Sequence, residues 1–141
     1  MNRLTRYAPF ALAVLRIVTA LLFFEHGTMK LFGFPVMHAT PGTDGSGGSG
    51  GLPLIMLIGG VLEVVGGFAL LIGFFTRPVA FILSGEMAVA YWMMHVPSGG
   101  FFPITNGGDA AILFCFNFLY LVFVGPGAWS VDVMQKRELQ V

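Results

Sequence analysis

Four long runs of apolar residues, separated by short polar or glycine-rich segments, constrain this chain more than any other feature. Of its 141 residues, 56% are hydrophobic and only 10% carry a charge, whereas soluble domains carry roughly 25% charged residues. A helix needs about 20 mostly apolar residues to cross a bilayer, and four such helices fit this length. The sequence therefore predicts an all-α fold: an integral membrane bundle of four transmembrane helices, embedded in the lipid bilayer.

The four predicted helices lie within one domain spanning residues 1–141. They cover about residues 7–30, 52–75, 79–96 and 109–124. Proline at position 78 suits the first turn of the third helix, and Asn106 to Asp109 offer capping residues for the fourth. Residues 42–51 contain mainly Gly and Ser, a composition typical of a flexible linker, native or engineered.

Basic residues predict the orientation of the bundle. They flank the first helix, lie between the second and third helices, and occur in the tail: Arg3, Arg6, Arg77, Lys136 and Arg137. Because Lys and Arg concentrate on the cytoplasmic side of membrane proteins, both termini are expected in the cytoplasm, which agrees with an even number of helices.

Charge and cysteine content exclude several classes of function. The net charge is zero with neutral histidines, so the chain lacks the basic patch that nucleic-acid binding requires. Cys115 is the single cysteine, which rules out an intrachain disulfide and a Cys-x-x-Cys redox pair.

Three charged residues fall near the middle of the predicted spans, where charges are costly and often functional. Counting along the helices places Arg16, Glu63 and Glu86 at a similar depth near mid-membrane. We predict that they form a buried ionic cluster. It could be a structural salt bridge that fixes helix pairing, or it could bind a ligand or carry protons.

A second group of polar residues is expected nearer the outer face. Its members are the candidate ligand-binding residues His26, Lys30, His95, Asn106 and Asp109. An apolar slot with such groups suits a quinone, because histidine and carboxylate carry protons near neutral pH. A haem between His26 and His95, or a metal held by His26, His95 and Asp109, is a weaker alternative. Histidines that simply lie in the membrane interface are the remaining interpretation, and the cofactor stays unknown at this stage.

Several segments, in this order, resemble the DoxX family. The first segment, residues 16–34, contains an arginine, an apolar run, a His-Gly pair and the sequence Lys-Leu-Phe-Gly. The others are the glutamate and glycines of residues 60–67, the turn and helix of residues 73–90, and residues 101–109. The resemblance implies a multi-pass protein of the bacterial inner membrane with respiratory or redox work. It also marks Arg16, His26, Lys30, Glu63, Glu86, Asn106 and Asp109 as candidate site positions.

Three functions are compatible with these features. The first is a quinone-linked oxidoreductase component, acting as the membrane subunit of a redox complex beside a soluble redox partner. The second is a non-catalytic membrane scaffold or assembly partner. The third is a carrier that couples a small lipophilic solute to protons. A homodimer is compatible with each of them, since small-residue faces let helices associate in lipid.

Overall fold

The computed structural model describes residues 3–36 and 53–138, which form helices and no strand. The Gly/Ser tract at 42–51, His38 and the expected start of the second helix at residue 52 lie outside these residues. A 3₁₀ turn, Arg3–Tyr7, precedes the first of five main helices. These are α1 (Ala8–Phe32), α2 (Leu54–Ile72), α3 (Thr76–Ala90), α4 (Asp109–Val124) and α5 (Val131–Glu138).

Among residues 3–36 and 53–138, three helical segments are long and apolar enough to cross a membrane. They are Arg3–Phe32, Leu54–Ile72 and Thr76–Gly99. The apolar helix α4 has 16 residues and is therefore about 24 Å long. Large apolar side chains are exposed around the bundle, for example Val65, Phe81 and Phe116 at 63%, 65% and 64% exposure. A surface of this kind matches lipid rather than water, and it confirms the predicted helical membrane bundle.

The turn between α2 and α3 is shaped by residues from the end of the chain. Helix α2 ends at Ile72 because Gly73 adopts a left-handed conformation, φ +69°. Helix α3 begins at Thr76, where the Asp132 carboxylate accepts hydrogen bonds from the backbone N–H groups of Phe75 (2.8 Å) and Thr76 (2.9 Å). This cap satisfies N–H groups that a helix start leaves without partners. Helix α3 then continues through a π-helical turn, Tyr91–His95, and a last turn, Val96–Gly99.

Helices α1 and α2 run antiparallel and form the most extensive helix pair. Two glycines allow their close approach. A Cβ atom on Gly27 would lie 2.8 Å from the backbone nitrogen of Val64, and one on Gly67 would lie 3.2 Å from the Cα atom of Phe24. Because small residues let helices pack closely in lipid, these positions fix the register of α1 against α2.

An aromatic core joins α1 to α4. The Phe23 ring packs edge-on against Phe118 and Phe114, with centroids 4.8 and 5.2 Å apart. Helices α3 and α4 form the other large helix pair, with Ala80, Leu83 and the α4 aromatics in the same core.

We call the end of the bundle where α1 begins, α2 ends, α3 begins and α4 ends the proximal end. Its assignment to the cytoplasm stays a prediction.

Candidate functional site

A buried ion pair links the end of α1 to the middle of α2. The Lys30 Nζ atom donates a hydrogen bond to Glu63 Oε1 at 2.6 Å. Glu63 is 2% exposed and Lys30 side-chain exposure is 27%. The lysine therefore reaches from the edge of the bundle to a carboxylate that is almost completely buried.

Glu86 on α3 faces the part of α2 that precedes Glu63, where a Cβ atom on Gly59 would lie 3.3 Å from Glu86 Oε1. It lines a groove between α2 and α3, together with Lys30 and Gly59. The other lining residues are apolar: Ile55, Met56, Met87, Val89, Ala90, Met93 and Met94. We call this the glutamate groove, and its volume is about 100 Å³.

The second oxygen of each glutamate carboxyl group is a notable feature of the site. Glu63 Oε2 and Glu86 Oε2 are buried and have no hydrogen-bond partner among the described residues. Buried polar atoms in folded proteins almost always have a partner, and an unsatisfied one costs about 1–3 kcal/mol. Two such atoms in one region are typical of a site that is completed by a proton or a donor group of a ligand.

The glutamate groove opens to the outside of the bundle. Ile55, Val89, Met93 and Met94 are exposed on the apolar surface, so a ligand dissolved in lipid can reach Glu86 from the side. The arrangement offers one cation and two carboxyl groups in apolar surroundings. Chemically, it can hold hydroxyl or carbonyl groups and accept or release protons.

The structure corrects the predicted position of Arg16. Its guanidinium does not pair with Glu63 but lies at the proximal end of the bundle, fully buried. It donates five hydrogen bonds to backbone carbonyl oxygens. They belong to Leu70 (2.5 Å), Leu71 (2.8 Å), Pro126 (2.8 Å), Ala128 (3.3 Å) and Trp129 (2.9 Å). A cation at the C-terminal end of α2 also complements the helix dipole, so Arg16 ties α1, α2 and the segment after α4 together.

The error came from estimating depth by counting along each helix separately. In the folded chain Arg16 contacts Leu70, and Glu63 lies seven residues earlier on the same helix, or about 10 Å along its axis. The register of the two helices is set by the Gly27 and Gly67 contacts, which places Lys30 rather than Arg16 opposite Glu63.

The predicted outer residues separate into different surroundings. His26 is exposed, its Nδ1 lies 2.7 Å from the Leu22 carbonyl oxygen, and its ring packs on Phe114. His95 Nδ1 lies 3.2 Å from the carbonyl oxygen of Asn106. Asp109 is exposed at the start of α4. Lys30 is thus the member of this group that joins the glutamate groove.

Asn106 organises the loop that precedes α4. Its side-chain amide donates to the Gly100 carbonyl oxygen at 2.7 Å, and its Oδ1 accepts from the Gly108 N–H at 2.8 Å. Tyr91 donates its hydroxyl to the carbonyl oxygen of Phe101. These bonds satisfy loop backbone groups. Within residues 3–36 and 53–138, no group of three His, Cys, Asp or Glu side chains is placed to hold a metal ion.

The sequence interpretation missed two sets of residues. Methionines 56, 87, 93 and 94 line the glutamate groove, although none was among the candidate site residues. Asp132, in the predicted tail, caps α3. An Asp in the first turn of the amphipathic α5 segment was a visible signal, but its target could not be identified without the fold.

Comparison with known proteins decides the family. The DoxX family model matches residues 11–96, which include Arg16, Lys30, Glu63 and Glu86. This chain belongs to the DoxX family. The matched region ends at Val96, directly after the π-helical turn of α3, so it contains both charged residues that line the glutamate groove, Lys30 and Glu86.

Three relatives of this DoxX protein match nearly their whole length. An uncharacterized protein of Haemophilus influenzae is 48% identical, over 94% of this chain and 96% of the relative. The inner membrane proteins YphA and YqjF of Escherichia coli are 35% and 32% identical, over 88% and 89% of this chain and 89% and 92% of theirs. No solved structure matches the chain. The protein is therefore a multi-pass protein of the bacterial inner membrane.

Proposed function

We propose that this DoxX protein binds a quinol in the glutamate groove and acts as the membrane component of a quinone-linked oxidoreductase. The observation that carries the proposal is the pair of buried, unpartnered oxygens Glu63 Oε2 and Glu86 Oε2. Glu86 and Lys30 line a groove that is otherwise apolar and opens toward lipid, and Lys30 is bonded to Glu63, which does not itself line the groove.

The donor and acceptor pattern favours the reduced form of the ligand. A quinol carries two hydroxyl donors, whereas the carbonyl oxygens of a quinone only accept hydrogen bonds. Unpartnered carboxylate oxygens need donors, so the groove should bind a quinol more tightly than the matching quinone. A carboxylate that holds the hydroxyl is also placed to receive its proton when the quinol is oxidised.

The glutamate groove has a volume of about 100 Å³, which is below the roughly 300–1,000 Å³ of most ligand pockets. Only part of the quinol headgroup would therefore enter it, and the rest would lie in the surrounding lipid. The isoprenoid tail would lie along the exposed apolar surface formed by Val89 and Met93. This chain would bind the quinol and receive its protons. The two electrons would pass to a redox centre in a partner protein.

The test is direct binding of a short-chain quinol and its quinone to the purified protein in mild detergent. Glu86→Gln should weaken quinol binding about ten-fold or more, because a hydrogen bond to a charged group is worth about 1.5–3 kcal/mol. Glu25→Gln is the matched control, because Glu25 is an exposed glutamate on α1. Absence of quinol binding, or unchanged binding by Glu86→Gln, would refute the proposal.

A proton-coupled carrier of a small lipophilic solute is the second candidate. It is favoured by the same two carboxyl groups, which could exchange one proton as the solute binds and leaves. In proteoliposomes, solute flux should then follow an imposed pH gradient and be lost in Glu86→Gln. A quinol-binding subunit without carrier activity should show no such flux.

A further inference from the structure

A second polar cavity lies at the proximal end of the bundle, whereas the glutamate groove lies toward the other end, near the end of α1 and the start of α2. Two adjoining cavities, of about 270 and 460 Å³, share Arg77, Pro126, Asp132 and Lys136 in their walls. We call the combined cavity the basic cleft. Its two cations come from the start of α3 and from α5, so the fold brings together charges that are 59 residues apart in sequence.

One carboxylate, that of Asp132, lines the basic cleft beside the two cations, and its hydrogen bonds are made elsewhere. Asp132 directs both carboxylate oxygens to the N–H groups of Phe75 and Thr76, where its negative charge complements the start of α3. Within the described part of the chain, neither Arg77 nor Lys136 forms an ion pair. Arg77 donates one hydrogen bond, to the carbonyl oxygen of Val122 at 3.1 Å, which holds its guanidinium in place and leaves other N–H donors for an anion.

The walls of the basic cleft are apolar on the side toward the bundle. Leu12, Val124 and the Tyr120 ring line it below the two cations. Nearby, Trp129 is 64% exposed and packs against Phe10, with ring centroids 5.4 Å apart. Tryptophan at a helix end typically lies at the level of lipid headgroups, which places the cleft at the membrane surface.

We propose that the basic cleft binds the phosphate of an anionic phospholipid, with Arg77 and Lys136 on the headgroup and Leu12 and Val124 against the upper acyl chains. Basic pockets between transmembrane helices bind anionic headgroups in this way. The apolar walls distinguish a lipid from free phosphate, because a small anion gains nothing from contact with them.

Native mass spectrometry of the detergent-purified protein, titrated with phosphatidylglycerol, tests this site. Lys136→Gln should bind about five-fold more weakly, since one basic residue near an anionic membrane surface contributes about that factor, and Arg77→Gln with Lys136→Gln should lose most of the binding. Arg3→Gln is the control, because it removes one exposed positive charge at the same end of the bundle. It should bind as the unaltered protein does.

Three results would overturn the proposal. One is equal binding of phosphatidylcholine, which carries no net charge. Another is a loss in Arg3→Gln as large as that in Lys136→Gln, which would indicate general surface attraction. The third is binding of inorganic phosphate alone as tightly as the phospholipid, which would make the cleft a free-anion site. Lys136→Gln keeps the test decisive even if Arg77→Gln fails to fold, because Lys136 is exposed on α5.

Discussion

Removing Lys30 should expose the cost of leaving a buried carboxylate without its partner. In Lys30→Met, Glu63 keeps its 2% exposure but loses the 2.6 Å hydrogen bond. Breaking a buried ion pair by removing one partner costs about 3–5 kcal/mol. Because Lys30 is 27% exposed, we expect the lower end of that range, about 3 kcal/mol of unfolding free energy.

The reverse substitution should cost less. In Glu63→Gln the amide can still accept a hydrogen bond from Lys30, and the ammonium group can move toward the membrane surface, as long basic side chains do. We expect a loss of about 1 kcal/mol, the usual net value of one hydrogen bond. The double variant should lose less than the two single variants together, since residues in direct contact are coupled by about 0.5–3 kcal/mol.

Unfolding by SDS titration from mild detergent, followed by tryptophan fluorescence of Trp92 and Trp129, provides the measurement. The control cycle pairs Glu63→Gln with Arg16→Lys. Since Arg16 contacts α2 about 10 Å away from Glu63, these two effects should add within about 0.5 kcal/mol. Coupling between Arg16 and Glu63, together with none between Lys30 and Glu63, would refute the arrangement described here and restore the predicted Arg16 cluster.

Three further predictions use the same assay. Arg16→Met should lower the unfolding free energy by about 4 kcal/mol or more, because five carbonyl oxygens lose a charged donor. Arg16→Lys should retain part of that stability, and equal losses in the two variants would contradict the five-bond geometry. Gly27→Ala should lower the unfolding free energy by about 1–3 kcal/mol, because the added methyl group forces α1 away from α2. Gly85→Ala should be neutral or slightly stabilising, because its Cβ atom would meet no atom within 4 Å. Similar effects at both positions would contradict the close approach of the two helices. Asp132→Ala should cost about 0.5–2 kcal/mol by removing the cap of α3, and an unchanged stability would mean that the cap is dispensable.

The surroundings of Glu86 and Arg16 differ in how completely their polar atoms are bonded. Glu86 has a buried oxygen without a hydrogen-bond partner among the described residues, and such atoms are rare in folded proteins. The hydrogen bonds of Arg16 are directed at backbone carbonyl oxygens of two chain segments, the end of α2 and residues 126–129. A structural role therefore suits Arg16, whereas a ligand or proton role for Glu86 is the proposal tested above.

The sequence by itself determined the class of fold and most of its polar content. Long apolar runs with few charges leave no alternative to membrane helices, because an unpaired backbone group in lipid is too costly outside a helix or closed barrel. The same reasoning marked Arg16, Glu63 and Glu86 as the charges that need an explanation. The family resemblance rested on these residues and their glycine neighbours, and the family match confirmed it.

Tertiary structure decided which of those charges meet. Helical periodicity gives the face of each residue, but the relative height of two antiparallel helices depends on how their side chains pack. Close contacts at Gly27 and Gly67 set it, and they bring Lys30 to Glu63 while Arg16 reaches the end of α2. For the same reason, the cap from Asp132 and the meeting of Arg77 with Lys136 depend on contacts between distant segments, which the order of residues alone does not specify.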